Sequence, residues 1–312
     1  MRELIVVRAG LQSTVQDGGR FGHRDSGVAV AGALDAVAYA VANRLAGNDD
    51  NAAAIEITAG NAAFQFLQPT RFAVAGAECD ARIDDEPVAA WSAHAAPGGA
   101  TLALHFPRSG MRTVLAVEGG IDVPVILGSR STDLAAAFGG FEGRALRNGD
   151  RLAIGRASDA PALRGRCAPP SGDMHMVRAV PGSEYERFTS EARERFFQSE
   201  WYVTPQSNRM GYRLSGPVLD FEVDDAGLML SHAVFPGVVQ VPPSGEPIVL
   251  LSDAQTTGGY AKIAVAIEAD LWKLAQAPLG STIRFARTTI EAARSARREL
   301  ERYMADVCNT SI

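Results

Sequence analysis

Two short runs in this 312-residue chain carry the residue types that grip small anions. Arg20-Phe21-Gly22-His23-Arg24-Asp25-Ser26-Gly27 aligns with Arg209-Met210-Gly211-Tyr212-Arg213-Leu214-Ser215-Gly216, so Arg, Gly, Arg, Ser and Gly recur at one spacing. A guanidinium offers a planar fork of donors that matches both oxygens of a carboxylate, whereas an ammonium is a point charge. Lysine is nearly absent, Lys262 and Lys273 being the only two. If each run is extended, side chains alternate between faces, Arg20 shares a face with Arg24 and Arg209 with Arg213, and the central glycine admits a close neighbour. Two copies then supply two arginine pairs that could face one cleft. His23 and Tyr212 hold equivalent places and are the nearby groups able to move a proton. The ordinary alternative is surface arginines paired with Asp or Glu.

Three further stretches are rich in donors and acceptors. Ser252-Asp253-Ala254-Gln255-Thr256-Thr257-Gly258-Gly259-Tyr260 follows the apolar run Ile248 to Leu251 and leads to Lys262; a loop after a buried strand is a common place for binding groups. Gln255 donates and accepts at once, as reading an amide or urea-like group requires. Backbone amides near Gly258 and Gly259, or Arg130, could stabilise charge on a carbonyl oxygen. The alternative here is a turn whose polar groups satisfy one another. Gly128-Ser129-Arg130-Ser131-Thr132-Asp133 surrounds Arg130 with hydroxyls that suit a carboxylate or ureido oxygen, or else cap a short helix. Asp17-Gly18-Gly19-Arg20 reads as a plain hairpin turn or as one whose amides hold an anion.

The elements that must position these groups are mainly strands. Short β-branched runs bounded by Gly, Pro, Asn or Asp are expected at 3–7, 54–58, 71–75, 101–106, 113–117, 151–154, 174–180, 247–251 and 282–286. A helix capped by Asp35 runs through Leu45 to Gly47, a second covers 191–198 with Phe196 and Phe197 inward, and a third opens at Thr288 with Glu291 completing a capping box. Ile290, Leu300 and Met304 give this last helix only a thin apolar stripe, so it reads as a solvated or partner-facing tail. The repeat extends to a second motif: Ile121-Asp122-Val123-Pro124 pairs with Val239-Gln240-Val241-Pro242, and each is followed by Gly-Gly-aromatic, Gly139-Gly140-Phe141 and Gly258-Gly259-Tyr260. The first copy carries about 70 more residues between its motifs, the first helix among them, which fits a duplicated unit. Gln240 thereby joins the candidate binding residues. With 156–173 as a Pro/Gly-rich linker, the expected organisation is one β subdomain over 1–160, a second over 173–287 and a C-terminal helix over 288–312.

A net charge of -6 without basic runs argues against a nucleic-acid partner. There is no phosphate-binding G-x-x-x-x-G-K-[ST], no G-x-G-x-x-G opening a helix and no G-x-S-x-G. His23, His94, His105, His175 and His232 lack metal-ligand spacing, and Cys79, Cys167 and Cys308 form neither a disulfide framework nor a zinc site. The apolar run at the N-terminus is too brief for a signal peptide, and Pro236, Pro242 and Pro243 break the longest uncharged stretch, so no membrane span is expected. The expectation is a cytoplasmic protein with reduced thiols and no metal.

VRAGLQSTVQDGGRFGHRDSGVAVAGALD, GGIDVPVILGSRSTDLAAAFGGFEGRALRNGD, SNRMGYRLSGP and FPGVVQVPPSGEPIVLLSDAQTTGGYAKIA together resemble the biotin-dependent carboxyltransferase family, also called allophanate hydrolase subunit 2 or KipA-type proteins. The similarity runs from residue 1 to about 287 and misses only the C-terminal helix. The resemblance implies two tandem cyclophilin-like β-barrel subdomains and a KipI-type (allophanate hydrolase subunit 1) partner. For free-standing chains of this length it implies the C-subunit of an ATP-dependent 5-oxoprolinase, which opens pyroglutamate to glutamate alongside a LamB/YcsF-type hydrolase, with ATP entering through the complex. On that reading an arginine pair holds the substrate carboxylate, Gln255 reads the lactam amide, and Tyr212 or His23 moves the proton, with Gln240, Gly258, Gly259 and Lys262 completing the site. Two other readings follow from the same family: transfer of a carboxyl group from carboxybiotin, carried by another subunit, to urea or a similar amide, and non-enzymatic sequestration of a kinase inhibitor. Asn208 stands where relatives often carry Asp.

Overall fold

The computed structural model describes residues 2–157, 167–222 and 228–307. Half of the stretch read as a linker, residues 158–166, therefore lies outside the described residues. The chain divides into two units, one of Met1–Phe21, Ala31–Ser171 and Arg302–Ile312, the other of Gly22–Val30 and Gly172–Glu301.

The first unit is built on β1 (Arg2–Arg8), β2 (Gln12–Gln16), β3 (Ala54–Thr58), β4 (Ala62–Phe66), β5 (Thr70–Ile83), β6 (Glu86–Val88), β7 (Ser92–Ala96), β8 (Thr101–Val117) and β9 (Arg151–Ile154). The sheet runs β2-β3-β8-β4-β1-β9, with β5 also paired to β8 and carrying β6 and β7. It curls into a half-barrel. The runs expected at 101–106 and 113–117 are one strand, and β5 continues past the expected 71–75; register shifts around Glu78 and Cys79 bend this pair without ending it. Leu4, Val6, Phe64, Phe66, Phe72 and Leu115 belong to the buried apolar core of this unit. Helix α1 (Ala36–Ala46) packs on β5, β7 and β8 through a face that includes Val37, Val41 and Leu45. Its ends are as expected: Asp35 Oδ1 accepts the Ala38 N–H at 2.8 Å, and Gly47 terminates it at φ 82°.

The second unit contains β10 (Met176–Pro181), β11 (Glu200–Val203), β12 (Gly211–Ser215), β13 (Leu228–Ala233), β14 (Val238–Val241), β15 (Ile248–Leu250), β16 (Thr257–Ala266) and β17 (Thr282–Arg287). Seven of these follow one another as β10-β17-β11-β12-β15-β14-β16, and β16 returns to β10, so the sheet closes into a barrel with β13 attached to β16 outside the ring. Closure leaves the ring without unpaired edges. Helix α2 (Ser190–Gln198) is capped by Thr189 and stacks Phe196 on Phe285 with ring centroids 4.7 Å apart, while Phe197 is only half-buried. The short α3 (Leu271–Gln276) follows β16.

Helix α4 (Ile290–Val307) starts one residue later than the capping-box spacing implies, because it is Thr289, not Thr288, whose Oγ1 accepts the Ala292 N–H at 3.2 Å. It is also seated differently from the expected tail. Ala296 is buried, and with Ala293 and Leu300 it packs on Ile267, Ala269 and Val180, whereas Ile290 is exposed. Small side chains let the helix lie close, which a stripe of large apolar residues would not reveal.

Candidate functional site

Strands β14 and β16 place Gln240 opposite Lys262, and their register slips between Val239 and Gln240. Such a bulge re-aims side chains and breaks the ladder locally. The Lys262 N–H is bonded instead to Glu184 Oε2 at 3.0 Å, and the Lys262 Nζ lies 3.2 Å from the same oxygen. Both side chains are largely withdrawn from water, 5% and 12% exposed, so one carboxylate neutralises a desolvated ammonium. The other oxygen, Glu184 Oε1, lies 3.6 Å from His232 Nε2 on β13. His232 Nδ1 sits 3.0 Å from Leu230 O, which can only accept, so Nδ1 carries a proton. Gln240 is buried with Nε2 3.4 Å from Tyr260 O, and it rests on Gly258, where a Cβ would come within 2.5 Å of Nε2. Thus Gly258 and Gly259 lie within β16 rather than in the expected turn; the missing side chain is what admits Gln240. Gln255, on the loop that enters β16, is exposed. This cluster of ammonium, carboxylate, imidazole and amide can hold an anionic or carbonyl oxygen and exchange a proton with it.

The arginine motifs do not share one conformation. In the second copy β12 pairs with β15, Arg213 is exposed and Arg209 is buried. In the first, Arg24–Ser26 is a turn of 3-10 helix, with Ser26 and Gly27 N–H groups bonded to His23 O and Arg24 O, so the extended geometry that would put both arginines on one face is absent. The leading arginine of each copy is a clamp. Arg209 grips Asp253 through Nε at 2.8 Å and Nη2 at 2.9 Å. Arg20 is fully buried, donates through Nε to Ile126 O at 3.0 Å and through Nη2 to Ser131 O at 2.8 Å, and covers the Phe138 ring at 4.5 Å. Both therefore hold the loop that follows the second motif of their own copy, a correction to their expected place as substrate ligands. Tyr212 is corrected likewise: it is fully buried and its hydroxyl donates to Ala277 O at 3.2 Å, as a barrel-core residue does. Arg24 donates to Val234 O, and burial lowers its guanidinium from the ordinary value. His23 is half-buried beside it in sequence.

The family profile for the carboxyltransferase domain, subdomain A and B, matches residues 26–287. The chain belongs to the carboxyltransferase domain family. Among relatives of this carboxyltransferase-family chain, the 5-oxoprolinase C-subunit of Escherichia coli (strain K12) is 49% identical over 303 residues, 96% of each chain. Its counterpart in Haemophilus influenzae, also a 5-oxoprolinase C-subunit, is 42% identical over 296 residues, 95% of this chain and 94% of its own. In structure, the Kluyveromyces lactis urea amidolyase superposes with a TM-score of 0.91 at 29% identity, over 98% of this chain and 20% of that larger one.

In this carboxyltransferase-family chain the loop pair flanking Arg20 is organised by Asp17, which composition alone leaves as an ordinary turn residue. Its buried carboxylate accepts from Gly19 N at 2.9 Å, Ser129 Oγ at 2.6 Å, Ser131 Oγ at 2.5 Å and Arg130 N at 2.5 Å. The hydroxyls of Ser129 and Ser131 thus serve the protein's own carboxylate. Arg130 reaches outward, with Nε on Val123 O at 2.9 Å and Nη2 3.4 Å from Asp122. Asp17→Ala strands these donors and is expected to lower the unfolding free energy by about 3 kcal/mol, with Asp17→Asn recovering part; denaturant titration of the full chain checks it. Glu184 and His232 were not singled out by sequence reasoning, and no local signal marks them. Among the described residues no group of three His, Cys, Asp or Glu is arranged to hold a metal ion, and no helix is long and apolar enough to cross a membrane.

Proposed function

We propose that this chain is the C-subunit of a heteromeric, ATP-dependent 5-oxoprolinase that opens pyroglutamate to glutamate, working with a KipI-type subunit and a LamB/YcsF-type hydrolase. The observation that carries the reading is near-complete coverage: the similarity to the E. coli C-subunit spans 96% of both chains. The substrate is a lactam bearing a carboxylate. Lys262 supplies the positive charge beside Gln240, and Gln255 offers an amide that can pair with both N–H and C=O of the ring. As the ring carbonyl is activated, charge grows on its oxygen, and a desolvated ammonium stabilises that charge far more than water would. Arg24 and Arg213 remain candidates for the carboxylate, Arg213 being exposed. ATP is a co-substrate of the assembly.

The test is reconstitution. The purified chain mixed with KipI-type and LamB/YcsF-type subunits, pyroglutamate and ATP is expected to release glutamate and ADP, and omission of this chain is expected to stop it. Gln255→Ala should raise KM for pyroglutamate about tenfold while melting as wild type does. A complex that never yields glutamate overturns the proposal. The likeness to urea amidolyase supports a second reading, carboxyl transfer from a carboxybiotin carried by another subunit to urea or a similar amide. Carboxylated product from carboxybiotin plus urea, without glutamate formation, would favour it. Tight KipI-type binding with neither product would favour a regulatory role.

A further inference from the structure

The second repeat motif of the first unit borders a cavity that the proposed function does not use. It measures about 440 Å³, within the usual range for small-molecule sites, and its wall includes Val123, Pro124, Ile126, Phe138, Phe141 and Ala153. Its two aromatic rings are prepared in the same way. The Arg20 guanidinium covers Phe138 at 4.5 Å, and the Arg144 guanidinium covers Phe141 at 5.1 Å. Neither cation is free to swing: Arg20 is bonded to Ile126 O and Ser131 O, and Arg144 to both oxygens of Asp150 at 2.8 and 3.0 Å and to Glu142 at 2.7 Å. A fixed cation on one side draws π density from the ring, and the surface left to a ligand then favours an electron-rich aromatic plane.

The turn that presents these rings is built to tight tolerance. Gly139 has φ 70°, and a Cβ there would lie 2.1 Å from Ser131 O; at Gly140 it would lie 1.8 Å from Thr132 Oγ1. Charge on the cavity wall is mixed. Asp122 and Glu142, both more than half exposed, face Arg130 and Arg144 and keep further acceptor lone pairs for an amino group, while Arg151 is paired with Glu3 and would exchange that partner for phosphate.

We infer that this cavity is a nucleobase site for an amino-purine nucleotide, its base lying against Phe138 and Phe141, an amino group on Asp122 or Glu142 and phosphate toward Arg151. The assignment of that nucleotide as ATP rests on the 5-oxoprolinase reading.

Calorimetric titration of the full chain with ATP, adenosine, sodium triphosphate and GTP tests the inference. ATP is expected to bind, adenosine to compete and triphosphate alone to compete poorly. Phe141→Ala, which removes a stacking plane, and Ala153→Leu, which adds bulk at the cavity wall, are each expected to weaken ATP binding about tenfold or more; Phe141 also packs on the core, so its variant should melt lower, whereas Ala153→Leu should melt as wild type does. The inference is overturned if triphosphate competes and adenosine does not, if both variants bind ATP within twofold of wild type, or if no binding occurs at millimolar ATP. Tighter binding of GTP would keep the base site and detach it from ATP. Its failure is separable from failure of the function: a complex that opens pyroglutamate with an unchanged KM for ATP in both variants rejects the cavity alone, and an inert complex whose chain still binds ATP through these residues rejects the function alone.

Discussion

Arg209→Ala is expected to lower the unfolding free energy by about 3–5 kcal/mol, because it takes a two-pronged counter-charge away from the buried carboxylate of Asp253. The pair is withdrawn from solvent, with side chains 4% and 2% exposed, and the two bonds run to different carboxylate oxygens. Arg209→Lys should recover only part of the loss, since a point charge cannot match both oxygens. The double variant Arg209→Met with Asp253→Leu should lie much nearer wild type than either single change, because no buried charge remains. A double-mutant cycle from denaturant melts measures this directly. Two main-chain bonds, from Leu251 N to Met210 O and from Asp253 N to Arg209 O, tie the same loop to the motif, and that loop leads on to Gln255. Arg209 variants that stay folded should therefore also show a raised KM for pyroglutamate. An Arg209→Ala chain that melts with wild type would reject the clamp.

What could be read ahead of the structure was whatever one stretch of chain decides for itself. The Asp35 cap and the Gly47 stop of α1 are local hydrogen-bond and dihedral requirements, and they fell where the residues placed them. The recurrence of Arg-x-Gly-x-Arg was visible for the same reason; short strands pointed to packed β structure, and the barrel itself was implied by the family resemblance. The work of the leading arginines was not legible. The partner of Arg209 is 44 residues on, and those of Arg20 are more than 100 residues away, so neither ion pair nor carbonyl contact leaves a trace in local spacing. Gly258 and Gly259 have the composition of a turn; inside β16 the first is explained by Gln240 on one neighbouring strand and the second by Met229 O on the other, 2.7 Å from where a Cβ would sit. Glu184 was invisible for a related reason, since nothing near it in sequence announces a partner 78 residues on.

Lys262→Met is expected to cut glutamate release by the reconstituted complex about 100-fold or more, chiefly in kcat, by removing the ammonium buried on the strand beside Gln240. The thioether keeps most of the side-chain volume and the backbone N–H at this position still reaches Glu184, so the chain should still fold, with a lowered melting temperature because the Glu184 carboxylate loses this counter-charge; turnover is read below that temperature. Glu184→Gln gives the complementary result. It retains an oxygen acceptor for that N–H and removes the charge that faces Lys262 Nζ and His232 Nε2, so the loss of turnover should approach that of Lys262→Met, while the buried ammonium that has lost this counter-charge lowers the melting temperature. If the two groups act as one unit, the double variant is no slower than the worse single variant, and the cycle on kcat/KM shows strong coupling. If Glu184 only braces the bulge in β14 and β16, Glu184→Gln lowers the melting temperature and leaves kcat nearly unchanged. Turnover by Lys262→Met within about threefold of wild type would place the reacting carbonyl elsewhere, since a desolvated ammonium close to developing negative charge cannot be lost without a larger effect.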